Sequence, residues 1–292
     1  MNDTTDFSAH AAGMTSVMLA CGPDAFRSGE MHKIFLACRQ YLIYGALCSR
    51  EASFLGDHQW LSLIPDEDKL AYDRVMDIMT QLPGVRKRFI TLQSCSPGTA
   101  RYVAKRQTLI DHLWHLQAAI ADARVESLKH PPQQHYTFAN FTDAITLTVY
   151  WACAIENYNL LGQSYEAFGI SSTSHSIKLT PTTTSTITTF PTTTPPSPPN
   201  LSLFAAADHC RALAMTHAKD ICSSVHYFTS NNRPNVFALV HIMSPLKMAL
   251  RCFVLNLPAS AEYLAWTHDM LGVLQRTGMG VVEWVMLDRG VY

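Results

Sequence analysis

The chain has 292 residues, 48% of them hydrophobic and only 15% charged, with a formal net charge of −1. That supplies apolar material for a sizeable core under a thin polar skin. It excludes a module held to nucleic acid mainly by a basic surface, which needs a clear positive excess.

Residues 1 to 28 are small, polar and broken at Gly22-Pro23, and they read as a loosely ordered lead-in. The first residues, Met-Asn-Asp-Thr-Thr-Asp, lack the basic start of a secretory signal. From Glu30 to Cys48, Ile34, Phe35, Tyr41, Leu42, Ala46 and Leu47 recur at helical spacing. Phe54-Leu55, Trp60 and Pro65 then form a non-helical stretch with large apolar anchors. Asp66 is placed to cap a helix running to Leu82, with Leu70, Val75, Ile78, Met79 and Leu82 as its buried stripe. Pro83-Gly84 is expected to stop it. A short helix over 85–92 follows, and Pro97-Gly98 breaks the chain again.

Residues 99 to 129 carry a long helical pattern through Tyr102, Val103, Leu109, Leu113, Leu116, Ile120 and Leu128, ended by Pro131-Pro132. The next helix, over 138–168, is apolar nearly all round at its centre. It therefore belongs in the middle of the fold. Its apolar run from Phe141 to Leu161 contains Asp143 and Glu156, which argue against a membrane span.

Residues 171–200 are about three quarters Ser, Thr or Pro, too little apolar surface to offset the entropy of ordering. They read as a disordered insert between helices rather than a domain boundary. Helical pattern resumes over 201–228, and Asn231-Asn232-Arg233-Pro234 is a turn. The helix over 236–255 contains Pro245, which should kink or split it. Pro258 suits the first turn of a last helix that ends near Gly278. No β-alternation of useful length appears. The expectation is an all-α, single multi-helix domain of packed antiparallel helices, its two parts (29–170 and 201–292) flanking the insert.

No motif in the chain commits it to chemistry. The eight cysteines (Cys21, Cys38, Cys48, Cys95, Cys153, Cys210, Cys222 and Cys252) form no C-x-x-C pair and read as small buried hydrophobes. His112 and His115 share a helical face with Asp111 nearby, but no third metal ligand is identifiable. His209, His217 and His226 read as surface or core-edge residues. Asp66-Glu67-Asp68 at a helix start suits the helix dipole better than a magnesium-diphosphate site, because no second acidic motif accompanies it. Gly162-Gln163-Ser164-Tyr165 falls short of a nucleophile elbow, and no phosphate-binding glycine loop is present. Arg86-Lys87-Arg88 is a short basic triplet, read as a solvated helix face in preference to an import signal. No metal and no cofactor is expected. If the two long central helices enclose a pocket, Trp114, His115, Tyr150, Trp151 and Glu156 are the groups to line it; the competing reading makes them core and core-edge residues.

Several stretches in order resemble a known family. They are Phe54-Leu55 with Trp60 and Ile64-Pro65, a helix closing at Leu82-Pro83-Gly84, and the helix Ala144 to Ala152. Ile221 to Tyr227, the step Ser244-Pro245-Leu246-Lys247-Met248-Ala249, and Trp266 with Leu271, Leu274 and Gly278 complete the series. Together they resemble the fungus-specific transcription factor domain, the helical region downstream of a zinc binuclear cluster. The resemblance covers roughly 30–280. It implies a nuclear regulator that senses an apolar small-molecule effector or docks a partner, in the control of metabolic or secondary-metabolite genes. The family's zinc cluster needs six closely spaced cysteines, and Cys21, Cys38 and Cys48 do not supply them. Direct DNA binding is therefore not expected, and action through a DNA-binding transcription factor or other regulatory protein is. Two readings stand beside it: a small-molecule enzyme or binding protein on the same helical fold, and the regulatory half of a longer factor.

Overall fold

The computed structural model describes residues 3–96, 99–127, 138, 140–169, 203–229 and 236–276. The Ser/Thr/Pro-rich insert, Pro97-Gly98, Pro131-Pro132, the turn at 231–234 and the region around Gly278 lie outside them. The described residues form α1 (Asp3–Cys21), α2 (Gly29–Ser49), α3 (His58–Leu61), α4 (Ala71–Met79), α5 (Leu82–Gln93), α6 (Ala100–Ser127), α7 (Phe141–Gly169), α8 (Leu203–Thr229), α9 (Val236–Leu255) and α10 (Ala261–Arg276). Short 3-10 turns occur at Pro23–Phe26 and Phe54–Gly56, and there is no strand among the described residues. The protein is all-α.

α7 is the axis of the bundle. It packs against α4, α5, α6, α8 and α9, which explains why its sequence is apolar all round. Asn140 starts it: the Asn140 Oδ1 accepts from the Asp143 backbone N–H at 2.9 Å, and the Asn140 Nδ2 donates to the Asp143 carboxylate at 3.0 Å. The buried threonines need no outside partner, because the Thr148 hydroxyl donates to the Ala144 carbonyl and that of Thr146 to the Thr142 carbonyl.

The most extensive pairing is α7 with α8. The buried face of α8 begins with small residues, Ala207, Cys210, Ala214 and Ala218, at spacings of three and four. Small side chains let two helix axes approach closely. Gly162 of α7 sits against this face: a Cβ there would meet the Ala207 carbonyl oxygen at 3.5 Å and the Cys210 Cβ at 3.7 Å. The elements on either side of the insert therefore share one continuous core, which runs from Met18 to Leu271.

Several sequence expectations need correction. Residues 3–21 form α1 rather than an irregular lead-in, and Ala11, Met18 and Phe26 are buried. The cause is a close crossing: a Cβ on Gly45 of α2 would lie 2.9 Å from the Ala11 Cβ. Asp66 does not cap α4, which begins five residues later; instead the Asp73 carboxylate accepts from the Leu70 backbone N–H at 3.2 Å. Leu70 is accordingly exposed. Pro83 stops nothing and lies in the first turn of α5, where a missing N–H costs no helical bond. α9 is not split at Pro245, which lies inside it, and Pro258 stands before Ala261, the first residue of α10, rather than in its first turn.

The aromatic stretch expected to be non-helical instead carries Phe54 in a 3-10 turn and Trp60 in α3, and it forms a corner of the core. Trp60 is buried against Phe54 at 4.8 Å, Phe26 at 5.7 Å and Phe35 at 6.3 Å between ring centroids. Phe26, at 1% exposure, ties the N-terminal segment to the rest. Phe26→Ala should lower stability by about 3–5 kcal/mol in chemical denaturation. A loss within about 0.5 kcal/mol, as at an ordinary surface position, would show that residues 3–26 do not belong to the cooperative unit.

Candidate functional site

The five groups nominated on the central helices do not converge. Trp114 of α6 is half-buried and its Nε1 donates to the Tyr165 hydroxyl at 2.7 Å. His115 is exposed. Tyr150 is buried and meets the His217 ring edge-on at 5.9 Å, on the side of α7 that faces α8. Trp151 is buried with Phe138 as an aromatic neighbour at 6.5 Å. Only Glu156 is part of a charged cluster, and the cluster is formed with residues of other helices.

Glu156 is 1% exposed. The Arg251 Nη1 of α9 donates to its Oε2 at 3.0 Å, and the Arg86 Nη1 of α5 lies 3.3 Å from its Oε1. Burial pushes the Glu156 carboxyl up, but the two guanidinium groups more than offset it and hold the group below the usual carboxylate range. Arg86 also donates to the Leu47 carbonyl at 3.4 Å. Close by, the Lys247 Nζ of α9 approaches the Cys48 Sγ to 3.7 Å. One seam thus joins α2, α5, α7 and α9.

A second buried charged group clamps α2 to α4. Arg39, 3% exposed, donates to Asp73 at 3.0 Å and to Asp77 at 2.5 Å. Lys69 bridges Asp77 at 2.9 Å and Asp66 at 2.6 Å. Beside it the Gln40 carbonyl oxygen accepts from the Tyr72 hydroxyl at 3.3 Å, and lies 2.7 Å from the His241 Nδ1. The acidic run at 66–68 is therefore engaged through Asp66 in an ion pair, not offered to a diphosphate.

Other sequence candidates resolve the same way. The Arg88 guanidinium reaches the His112 Nδ1 at 3.2 Å, which makes that nitrogen an acceptor and the ring neutral. Burial, then the charge of Arg88, then His115 pull the His112 pKa down to about 4. No group of three or more His, Cys, Asp or Glu among the described residues is placed to hold a metal ion. His217, expected at the surface or core edge, stacks on Tyr158 at 6.1 Å. The basic triplet is dispersed: Arg86 turns to Glu156, Lys87 to Glu51 at 2.5 Å, and Arg88 to His112. All eight cysteines are free; Cys153, Cys210, Cys222 and Cys252 are buried, whereas Cys21 and Cys95 are exposed, contrary to expectation. No helix of the described residues is long and apolar enough to cross a membrane.

No family model, no curated protein and no solved structure matches the chain.

The sequence reading missed Arg86 and Arg251 as partners of Glu156, although a signal was present. α9 is nearly free of charge except for Lys247 and Arg251, four residues apart, and the centre of α7 carries only Glu156. Lone opposite charges on two otherwise apolar helices need each other, because a buried charge is tolerated only when paired. Replacing Glu156 by Ala should cost about 3–5 kcal/mol of stability, since two guanidinium groups lose their counter-charge. Urea denaturation measures this, and a loss below about 1 kcal/mol would contradict the arrangement.

His112 makes a second prediction. Its folded pKa lies below the unfolded value, so the unfolded chain takes up the proton first. Stability should fall as pH drops from 6.5 towards 4, by at most about 1.4 kcal/mol per pH unit. In His112→Gln that part of the pH dependence should vanish from urea midpoints measured between pH 7 and 4.5; an unchanged slope would contradict it.

Proposed function

We propose that the protein is a transcription-linked regulator, an effector-sensing helical domain that acts through a DNA-binding partner protein rather than by contacting DNA itself. The order of residues described above resembles the fungus-specific transcription factor domain, and the all-α architecture is compatible with it. The observation that carries the reading is the state of Glu156. A catalytic carboxylate must exchange a proton or a metal with substrate, whereas this one is buried and committed to two arginines. The remaining nominated groups, apart from exposed His115, are engaged in packing or in hydrogen bonds between helices. That pattern fits a domain whose output is a change of shape or partner better than one whose output is chemistry.

The formal charge of −1 and the dispersal of the 86–88 triplet support the same assignment of roles, with the nucleic-acid contact delegated to the partner. On this reading the working location is the nucleus, the effector is a largely apolar small molecule, and the regulated genes serve a metabolic or secondary-metabolite pathway.

Deleting the gene and measuring transcripts and metabolites in the same cultures tests the proposal. The expected result is a coordinated fall or rise in the transcripts of one gene set. Unchanged transcripts with a single accumulating intermediate would overturn it in favour of an enzyme of that pathway.

A further inference from the structure

We propose that Cys48 is a site of reversible oxidation by a hydroperoxide, with Lys247 as the cation that activates its sulfur. The inference goes beyond the regulatory reading and does not rest on it.

Contact is the first argument. Cys48 is the last residue but one of α2 and is half-buried, which leaves an approach for an oxidant as small as hydrogen peroxide. The Lys247 Nζ of α9 donates to its Sγ at 3.7 Å. Lys247 is 6% exposed, so its ammonium acts on the sulfur with little screening by solvent. The charge of Cys48 also reaches the Arg86 guanidinium of α5 and favours its protonated form. A thiolate, not a thiol, attacks a peroxide, and neighbouring lysine and arginine favour the thiolate.

The contrast with the other cysteines is the second argument. Cys153, Cys210, Cys222 and Cys252 are buried, and burial pushes all four thiols up, the last three to about 12. Burial pushes the Cys38 thiol up as well. Cys95 is exposed, but its Sγ donates to the Thr91 carbonyl at 3.2 Å and is engaged as a thiol. Exposure alone would rank Cys21 and Cys95 as the most reactive; the lysine contact ranks Cys48 above both.

An unmet hydrogen bond is the third. Tyr44 stands one turn before Cys48 on α2, is 1% exposed, and its hydroxyl has no hydrogen-bond partner among the described residues. The charges of Tyr72, Cys153 and Cys48 all act on it. A buried hydroxyl left unsatisfied points to a missing polar neighbour. An oxygen bonded to the Cys48 sulfur adds an acceptor to this neighbourhood.

The chemistry balances with hydrogen peroxide as the named oxidant. The Cys48 sulfur attacks one peroxide oxygen, and an S–O bond forms as the O–O bond breaks. Sulfur is oxidised by two electrons, and the thiol proton leaves with the second oxygen as water. The products are one sulfenic acid and one water. The Lys247 ammonium donates first to the thiolate and then to the sulfenic oxygen. Two molecules of a small thiol reverse the step, giving back the Cys48 thiol with one disulfide and one water.

The test adds hydrogen peroxide to the full chain with dimedone present to trap sulfenic acid. Peptide mass spectrometry reads, for each cysteine, the thiol lost and the adduct gained. In the folded chain Cys48 should react about tenfold faster than Cys21 or Cys95, against the order of exposure. In the urea-unfolded chain the three rates should converge. Lys247→Met removes the ammonium and should slow Cys48 about tenfold, whereas Lys247→Arg keeps a cation and should retain most of the rate. Faster reaction at Cys21 or Cys95, loss of the Cys48 thiol without a dimedone adduct, or a Cys48 rate unchanged in Lys247→Met would each overturn the proposal. Should the variants fail to fold, the wild type decides: a Cys48 advantage that persists in urea, or is missing from the folded chain, contradicts it.

Discussion

The structure turns on one ion pair that the middle of the bundle cannot do without. α7 is enclosed by five other helices, so a charged group near its centre must find its counter-charge inside the protein. Glu156 is the carboxylate in that position. Removing such a group from water costs several kcal/mol, and the cost is recovered only with close counter-charges and hydrogen bonds. Arg251 and Arg86 supply them from α9 and α5. Because these helices are far apart in the chain, the requirement fixes how three segments meet. A shift of α9 by one turn would strand a charge. Apolar packing alone, which tolerates sliding between similar surfaces, does not impose that register.

Around the axis, two devices complete the arrangement. The small residues of α8 allow it to lie close along α7, so that sequence segments separated by the Ser/Thr/Pro-rich insert build a common core. The Arg39, Asp73, Asp77 and Lys69 group holds α4 against α2. In both places the polar residues orient the helices and the apolar residues stabilise them. The same division explains why the buried ionisable groups look inert. They are spent on geometry.

Much of this was legible in the sequence. Helix periodicity located α2 and α5 to α10 closely but missed α3 and started α4 too early, and the all-round apolar character of 141–161 identified the central helix. Local rules failed where a tertiary contact overrode them. Residues 3–21 look irregular because, over residues 9–21, α1 buries only a narrow edge, Ala11 and Met18, and uses Gly45 of the facing helix to do it. Pro83 looks like a stop, but proline is equally at home in a first helical turn. The candidate site was half legible. Glu156 stood out as a charge in an apolar helix. Its partners did not, since sequence spacing carries no information about which of the other helices will face it. Trp114, Tyr150 and Trp151 were nominated for their chemistry, yet their rings point to different neighbours.

The central claim is that Glu156 is a buried carboxylate kept ionised by two arginines. Carbon-13 NMR of the Glu156 carboxyl, titrated from pH 7 downward, tests it most directly. The account predicts that the group stays ionised below the ordinary glutamate range and protonates only as the protein begins to unfold. A carboxyl that titrates above that range, as burial without its arginine partners would dictate, would contradict the account.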